Sequence, residues 1–262
     1  MRDRTLTGIG AGWSPPPKRG DRSTRPGLRV RTPPLLASAA VRIAVVIPAL
    51  EEAGRIAYAI ESARAAGVEI IVADGGSRDA TRERALAAGA RVVRAEPGRA
   101  RQLAAGAVAA DADVLLFLHA DTTLPAGWSD AVRSALADPA VAGGAFAFRF
   151  EERSLALAFV EWGVRVRLAL ARLPFGDQAL FVRSSLLDAI GGVPQAPIME
   201  DLDLVRALKA HGRLALLPQA AVTSARRYLE QGVFRSVARN TLALAAFWLG
   251  LDRARVAAWY RR

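Results

Sequence analysis

A polar group with catalytic potential follows an apolar run near the middle of the chain. Residues 114–118 read Val-Leu-Leu-Phe-Leu, and His119, Ala120 and Asp121 come directly after them. A short, unbroken apolar run is typical of a strand buried on both faces of a parallel sheet. Ligands bind beyond the carboxyl ends of such strands, where the Asp121 carboxylate could hold a divalent cation that neutralises a diphosphate. The simpler alternative is that Asp121 only closes a turn.

Four other groups of polar residues occur at predicted strand ends or in loops. They are Asp74 with Gly75 and Ser77; Gly176, Asp177 and Gln178; Glu200 and Asp201; and Arg226 with Arg227. Each has a simple explanation alone, as a turn or an acidic helix start. Taken together with Asp121 they describe a nucleotide-diphosphate site. Asp74 would accept from a base N–H, Asp121 would bind the metal, an arginine would cover the phosphates, and a remaining carboxylate would serve as general base.

The elements that position these residues alternate between strand and helix in the first half of the ordered region. The pattern predicts strands at 42–48, 68–73, 90–93 and 114–118, and helices at 51–66, 78–88 (capped by Ser77) and 99–110. This alternation predicts an α/β fold with a doubly wound, mostly parallel sheet. A Gly-x-Gly-x-x-Gly fingerprint and a P-loop are both absent from the sequence, which argues against dinucleotide-binding proteins and P-loop NTPases.

The second half is less regular. It predicts strands at 142–150, 179–182, 214–217 and 221–224, and helices at 125–137, 154–173, 184–190, 200–211 and 232–249. Three polar residues at the start of the 99–110 helix, Arg99, Arg101 and Gln102, are interpreted as solvated and left outside the site.

Composition limits the function classes. The 262 residues contain no Cys and two His, so disulfides and thiolate metal sites are excluded and oxygen ligands are expected for any metal. Residues 1–40 hold eight Lys or Arg and two Asp, which is more than half of the net charge of +11. This Pro-, Gly- and Arg-rich segment is interpreted as a disordered tail. The body carries only a mild basic excess, so we expect no nucleic-acid partner; binding through the tail is the alternative.

Membrane association is the second question that composition raises. No segment reaches the roughly 18–20 apolar residues that a spanning helix needs. The long helices 154–173 and 232–249 are expected to pack on the sheet or on each other; the alternative is that they lie on the inner face of the cell membrane. We therefore expect a cytoplasmic protein, with peripheral membrane association as the alternative.

The ordered set of motifs resembles family 2 glycosyltransferases over about residues 42–250. The motifs are Val-Ile-Pro-Ala-Leu-Glu-Glu at 46–52, Asp-Gly-Gly-Ser at 74–77, Leu-His-Ala-Asp at 118–121, Gly-Asp-Gln at 176–178 and Met-Glu-Asp at 199–201. The short His-Ala-Asp and Gly-Asp-Gln forms most resemble small bacterial members named for arsenosugar biosynthesis. The resemblance implies a GT-A fold with a nucleotide-binding half (41–124), an acceptor-binding half (125–250) and a C-terminal extension (251–262).

The resemblance also implies a role for each motif. The donor, most simply a UDP-sugar, would be bound by Pro48, Ala49, Glu52, Asp74, Gly75, Ser77, His119, Ala120, Asp121, Arg226 and Arg227. Asp121 would hold Mn²⁺ or Mg²⁺; Gly176, Asp177 and Gln178 would lie on the acceptor side; and Asp201, with Glu200 beside it, would be the catalytic base. The implied reaction is an inverting sugar transfer from a nucleotide-diphospho-sugar to an unidentified acceptor.

The sequence departs from the family pattern at two places. His119 replaces the first Asp of the Asp-x-Asp motif, and Arg226-Arg227-Tyr228 stands where the family has Gln-x-x-Arg-Trp. Two alternatives therefore stay open. The same fold could act on a membrane lipid, such as a polyprenyl phosphate or a carotenoid acid, or the protein could bind a nucleotide-sugar without turnover.

Overall fold

One eight-stranded sheet runs through residues 41–260, the part of the chain that the computed structural model describes. The interpretation of residues 1–40 as a tail lies outside the described residues. The strands are β1 (Ile43–Ala49), β2 (Val68–Asp74), β3 (Arg91–Arg94), β4 (Val114–Phe117), β5 (Thr122–Thr123), β6 (Val141–Phe150), β7 (Leu180–Arg183) and β8 (Arg213–Thr223). The helices are α1 (Ile56–Ala63), α2 (Thr81–Ala87), α3 (Arg99–Ala109), α4 (Trp128–Leu136), α5 (Leu155–Ala171), α6 (Ser184–Ala189), α7 (Glu200–His211), α8 (Arg226–Gln231), α9 (Val233–Trp248) and α10 (Arg253–Tyr260).

The first half of the sheet is parallel, as the alternating pattern predicts. Strand β1 lies between β2 and β4, and β3 pairs with the outer edge of β2. The chain winds outward to β3 and then returns to place β4 on the other side of β1. The point between β1 and β4 is therefore a topological switch, where open α/β sheets form their ligand crevice. The prediction of an α/β fold with a doubly wound sheet is confirmed.

The second half of the sheet mixes directions. Strand β7 is antiparallel to both β4 and β6, whereas β6 and β8 are parallel. The sequence predicts two strands at 214–217 and 221–224, but the structure has the single strand β8. Its register shifts opposite Phe146 and Ala147, so residues 218 and 219 form a bulge. Pro218 lacks the N–H that a regular ladder needs, and a bulge accommodates it without ending the strand.

Two predicted helix starts are wrong, for a common reason. Helix α1 begins at Ile56 rather than at Glu51, and α2 begins at Thr81 rather than at Arg78. The residues between the predicted and the observed helix starts instead connect the loop after β1 to the loop after β2. The backbone N–H of Glu51 donates to Ser77 Oγ (3.0 Å), and the Glu51 carboxylate accepts from the backbone N–H of Arg78 (2.8 Å). Ser77 therefore links the loops instead of capping α2.

Among the C-terminal helices, α9 packs against α5, α8 and α10. Residues 251–260, which the sequence assigns to an extension, contain helix α10. Arg253 at its start forms a bidentate ion pair with Asp203 on α7, which fixes α10 beside α7. Across residues 41–260, the structure holds no helix with both the length and the apolar character needed to cross a bilayer.

Candidate active site

A cleft of about 880 Å³ opens at the carboxyl ends of β1 and β4. This volume lies in the range of small-molecule sites. Seven of the predicted site residues are among those that line the cleft: Pro48, Glu52, His119, Ala120, Asp121, Glu200 and Arg227. The structure thus brings together motifs that are up to 179 residues apart in the chain.

Side chains of the loop after β2 hold the loop after β1. Besides the contact from Glu51, the backbone N–H of Glu52 donates to Thr81 Oγ1 (2.8 Å) and that of Ala53 donates to Asp79 Oδ2 (3.1 Å). Three consecutive amides are thereby satisfied away from any helix. This arrangement fixes the Glu52 carboxylate in the cleft wall.

Asp74 lies behind the cleft rather than in its lining. Its side chain is 1% exposed and accepts from the backbone N–H groups of Gly76 and Ser77, each at 3.2 Å. Its neighbour in the fold is Gln102, whose Nε2 donates to the carbonyls of Ala49 (2.7 Å) and Ala73 (3.0 Å) and so ties the ends of β1 and β2 together. A contact from Asp74 to a nucleotide base stays a prediction.

Glu52, in the lining of the cleft, forms ion pairs with two consecutive arginines. Glu52 pairs with Arg226 Nη2 at 3.1 Å and with Arg227 Nη2 at 3.5 Å. Burial raises the pKa of the Glu52 carboxyl, the Asp121 charge adds to that rise, and the two arginines oppose it. Of the two arginines, Arg227 lines the cleft and Arg226 does not. The sequence leaves open which arginine would meet a diphosphate, and Arg227 is the one that reaches the cleft.

Arg99 joins the two halves of the site. Its guanidinium, on the first residue of α3, contacts the carboxylates of Glu200 and Asp201 on α7, with Nη2 lying 3.7 Å from Asp201 Oδ2. Gly176 N (2.8 Å) and Leu202 N (2.9 Å) also donate to Asp201. Burial favours the neutral acid, but the Arg99 charge and these amides outweigh it, so the pKa of Asp201 is lowered and the carboxylate stays ionised.

His119 and Gly176 meet beside Asp201. A Cβ on Gly176 would lie 2.9 Å from His119 Nε2 and 3.2 Å from Asp201 Oδ2, so only glycine leaves both side chains in place. Burial, together with the Arg99 charge, lowers the pKa of His119 to about 4. His119 is therefore a neutral imidazole near pH 7 and adds no charge where the family pattern has a carboxylate.

The 3-10 turn at Gly176–Gln178 contributes Asp177 to the lining of a second cavity. Gln178 is fully buried; its Oε1 accepts from Phe175 N (3.2 Å) and Arg167 Nη2 (3.1 Å), and its Nε2 donates to Phe146 O (2.9 Å). These contacts make Gln178 a residue that fixes the turn. Asp177 and Asp201 line the second cavity, and Arg99 and His119 line both spaces.

The possible metal ligands in the cleft suit a cation that the protein shares with a bound ligand. Within residues 41–260, no group of three His, Asp or Glu side chains is arranged to hold a metal by itself. Asp121 offers one carboxylate to the cleft, which Arg227 also lines. Mg²⁺ and similar cations are commonly bound by one or two carboxylates together with substrate phosphates. Asp121 therefore fits a cation that arrives with a diphosphate.

Sequence reasoning missed three contributors to the site. Arg99 and Gln102 were interpreted as solvated, and α10 was not predicted, although Ala257 and Tyr260 on it line the cleft. The position of Arg99 directly after Pro97-Gly98, at the start of a helix that follows a strand, was the available signal. Its acidic partners lie about a hundred residues away, so no local pattern reveals them.

A comparison with known sequence families finds a match over just under half of the chain. Residues 44–172 match the sequence family described as glycosyl transferase family 2. The chain carries a glycosyltransferase family 2 domain. The enzyme class is thus glycosyltransferase, and the matched segment includes Glu52, Asp74, Arg99 and Asp121 but ends before Asp177 and Asp201. No curated protein sequence matches the chain.

Solved structures share the fold of this glycosyltransferase. A mycobacterial protein is 29% identical, with 70% of this chain and 65% of that chain covered and a TM-score of 0.50, so the match spans just under two thirds of that protein. Glucosyl-3-phosphoglycerate synthase from Mycobacterium tuberculosis, in complex with Mn²⁺, UDP-glucose and phosphoglyceric acid, is 22% identical, with 88% and 87% covered and a TM-score of 0.59. The same enzyme with Mg²⁺ and UDP is 23% identical, with 87% and 86% covered and a TM-score of 0.58. The expected GT-A fold is confirmed.

Replacing Arg99 tests its role at the centre of the site. We expect Arg99→Leu to lower the free energy of unfolding by about 2 kcal/mol at pH 7, below the ~3–5 kcal/mol of a fully buried pair because Arg99 is partly exposed. In the wild type the lowered pKa of Asp201 contributes stability above the unfolded-state pKa, and this stability is lost as pH falls. The difference between the proteins should therefore persist at pH 5 and shrink only below about pH 4, as the Asp201 carboxylate becomes protonated. Urea unfolding at pH 7 and at pH 3 measures it.

The matched control is Arg101→Leu, because Arg101 is exposed on the same helix turn and donates to the Pro97 carbonyl at 3.5 Å rather than to a carboxylate. It should stay within about 0.5 kcal/mol of the wild type. Equal effects of the two substitutions would show that the contact of Arg99 with Glu200 and Asp201 contributes nothing particular to stability.

Proposed function

We propose that this protein is an inverting, metal-assisted glycosyltransferase that moves a sugar from a nucleotide-diphospho-sugar, most simply a UDP-sugar, to an acceptor hydroxyl. The observation that carries the proposal is that Asp121 and Arg227, which suit a metal-bound diphosphate, line one cleft, while Asp201 lines the cavity that adjoins it. Arg99 connects these two regions through its contacts with α7.

The donor would occupy the cleft between β1 and β4. The nucleoside would lie toward the Pro48–Glu52 loop and Asp74, and the cation, Mn²⁺ or Mg²⁺, would bind Asp121 and the diphosphate. When bound, the cation would supply charge stabilisation to the leaving diphosphate. Arg227 would add a second positive charge once the diphosphate competes with Glu52 for it. The structural neighbours hold UDP or UDP-glucose with Mn²⁺ or Mg²⁺, which supports this donor class.

The chemistry needs one base and no covalent intermediate. The acceptor oxygen would attack the anomeric carbon as its proton passes to the Asp201 carboxylate. The new carbon–oxygen bond forms as the bond from that carbon to the diphosphate oxygen breaks, and the diphosphate leaves with the electron pair. Because Asp201 is held ionised, its contribution would come from its position rather than from a high pKa. Glu200 would orient Arg99.

The remaining assignments follow from the fold and the motifs. We assign residues 41–124 to the donor half and 125–250 to the acceptor half, with Ala257 and Tyr260 of α10 completing the cleft. The short His-Ala-Asp and Gly-Asp-Gln motifs support membership of the small bacterial group named for arsenosugar biosynthesis. We propose a cytoplasmic location, with peripheral contact to the inner face of the membrane as the open alternative.

The Asp121 assignment predicts a metal-dependent change in nucleotide affinity. Asp121→Asn should raise the Kd for UDP in Mn²⁺ about tenfold or more, because a protein ligand of the cation is lost. In EDTA the two proteins should bind UDP alike. Isothermal titration calorimetry in each buffer measures the effect, and Asp111→Asn, at an exposed position outside the cleft, is the control. Equal affinities of Asp121→Asn and wild type in Mn²⁺ would contradict the assignment.

The Asp201 assignment predicts separation of binding from turnover. Asp201→Asn should reduce transfer by about 10²–10⁴-fold, the usual contribution of a general base, while the Kd for UDP changes less than about threefold. The release of UDP from UDP-glucose in the presence of acceptor measures the transfer rate, and calorimetry with UDP measures the Kd. Asp188→Asn, at an exposed site on α6, should behave as wild type. Retained transfer, or equal loss of binding and transfer, would rule out Asp201 as the base.

A further inference from the structure

The second cavity lies between α5 and α9 and has a volume of about 400 Å³. It adjoins the donor cleft, since Arg99, His119, Ile198 and Tyr260 line both spaces. Most of its remaining lining is apolar and comes from both helices and from β6, with Phe148, Val160, Val164, Phe175, Val237 and Leu244 among its walls. A molecule in this cavity would have the donor site at one end and hydrocarbon surface along its length.

The inner wall of the cavity is polar, and two of its buried polar atoms lack a hydrogen bond within the described residues. Asp177 Oδ1 and Arg167 Nε are buried and have no hydrogen-bond partner within the described part of the chain. Arg167 is held over the Phe175 ring, with its guanidinium carbon 3.6 Å from the ring centroid. Burial raises the pKa of Asp177 to about 6 and lowers the pKa of Arg167. Buried polar groups almost always have partners, so an unsatisfied acceptor and donor on one wall indicate a polar ligand group there.

The outer rim of the cavity is apolar and open to solvent. Phe159, which lines the cavity, is 56% exposed and stacks on Trp162, which is 53% exposed, with ring centroids 5.7 Å apart. Large aromatic side chains that remain exposed beside a cavity are typical of sites for apolar ligands.

Charge balance argues against a strongly anionic ligand in this cavity. Arg167 and Arg99 contribute two positive charges, but Asp177 and Asp201 line the same space, and Glu200 also pairs with Arg99. A phosphorylated acceptor would thus meet no surplus of positive charge. A hydroxyl group, which both donates and accepts, matches a carboxylate beside a guanidinium.

We infer that this cavity binds the acceptor, and that the acceptor is amphipathic, with a hydroxyl-bearing head against Asp177 and Arg167 and an apolar body between α5 and α9. The inference rests on the proposed function, because the head would lie beside Asp201 and the donor. It differs from the phosphoglyceric acid that the M. tuberculosis synthase carries in its structure. Asp177 would orient the reacting hydroxyl, and Asp201 would take its proton.

A matched pair of alkyl glucosides tests the chemistry of the acceptor. n-Octyl β-D-glucopyranoside, kept below its critical micelle concentration, and methyl β-D-glucopyranoside share a head and differ only in the apolar chain. With UDP-glucose and Mn²⁺, we expect kcat/KM for hexose transfer to be at least about tenfold higher for the octyl compound. 3-Phosphoglycerate should be a poorer acceptor than the octyl glucoside. Mass spectrometry of the products, and saturation-transfer NMR from protein to the octyl chain, give turnover and binding.

Gly163 allows the cavity to be narrowed without disturbing the fold. It lies on α5 in the cavity lining, and a Cβ there would meet nothing within 4 Å. Gly163→Leu should reduce kcat/KM for the octyl glucoside about tenfold or more and leave the Kd for UDP unchanged. Ala158→Leu adds the same side chain at an exposed position of the same helix outside the cavity, and should behave as wild type.

The outcomes separate this inference from the proposed function. Any one of four results would overturn the inference. These are equal use of the two glucosides, a preference for 3-phosphoglycerate, an octyl preference that Gly163→Leu leaves intact, and the absence of both transfer to the octyl glucoside and NMR contact with its chain. If UDP still binds with Mn²⁺ in those cases, the proposed function stands. Faster transfer to dodecyl glucoside in phosphatidylcholine vesicles than to dissolved octyl glucoside would assign the amphipathic acceptor to a membrane. Faster transfer to the dissolved octyl glucoside would assign it to solution. Either result supports the inference.

Discussion

The contact of Arg99 with Glu200 and Asp201 is the interaction on which the site depends. It joins the first turn of α3, in the parallel half of the sheet, to the first turn of α7, in the other half. Glu200 is almost fully buried, so an unpaired carboxylate there would be costly. The same arginine also holds Asp201 ionised beside the donor cleft. The Arg99 guanidinium thus joins the two halves of the sheet and also keeps Asp201, the proposed base, ionised.

The loops at the strand ends are shaped by the need to satisfy backbone amides without a helix. Glu51, Glu52 and Ala53 donate to side chains of the neighbouring loop, and this delays the start of α1 by five residues relative to the sequence prediction. The delay leaves the Glu52 carboxylate in the cleft wall, where it pairs with Arg226 and Arg227. A diphosphate and its cation would exchange that internal ion pair for contacts with the ligand, so binding and rearrangement of this wall would be coupled.

The predictable part of the structure is the part that short-range patterns encode. Apolar runs located the four parallel strands and placed Asp121 directly after the last of them, whereas the switch point between β1 and β4 is known only from the structure. The single strand β8 was missed because Pro218 interrupts its pattern, and tertiary pairing with β6 overrides that local signal. Arg99 was missed because its partners are distant in sequence, and Tyr260 because the last helix has no marked amphipathic period. The motifs located the chemistry, whereas the contacts that orient it came from the fold.

The most direct test of the account is calorimetric titration of the full chain with UDP, GDP and dTDP, first in Mn²⁺ and then in EDTA. The account predicts metal-dependent binding with UDP preferred, since Asp121 is expected to bind the cation only together with a diphosphate. Metal-independent binding of all three nucleotides would contradict the role of Asp121. Absence of binding to any of them would contradict a donor site in the cleft between β1 and β4.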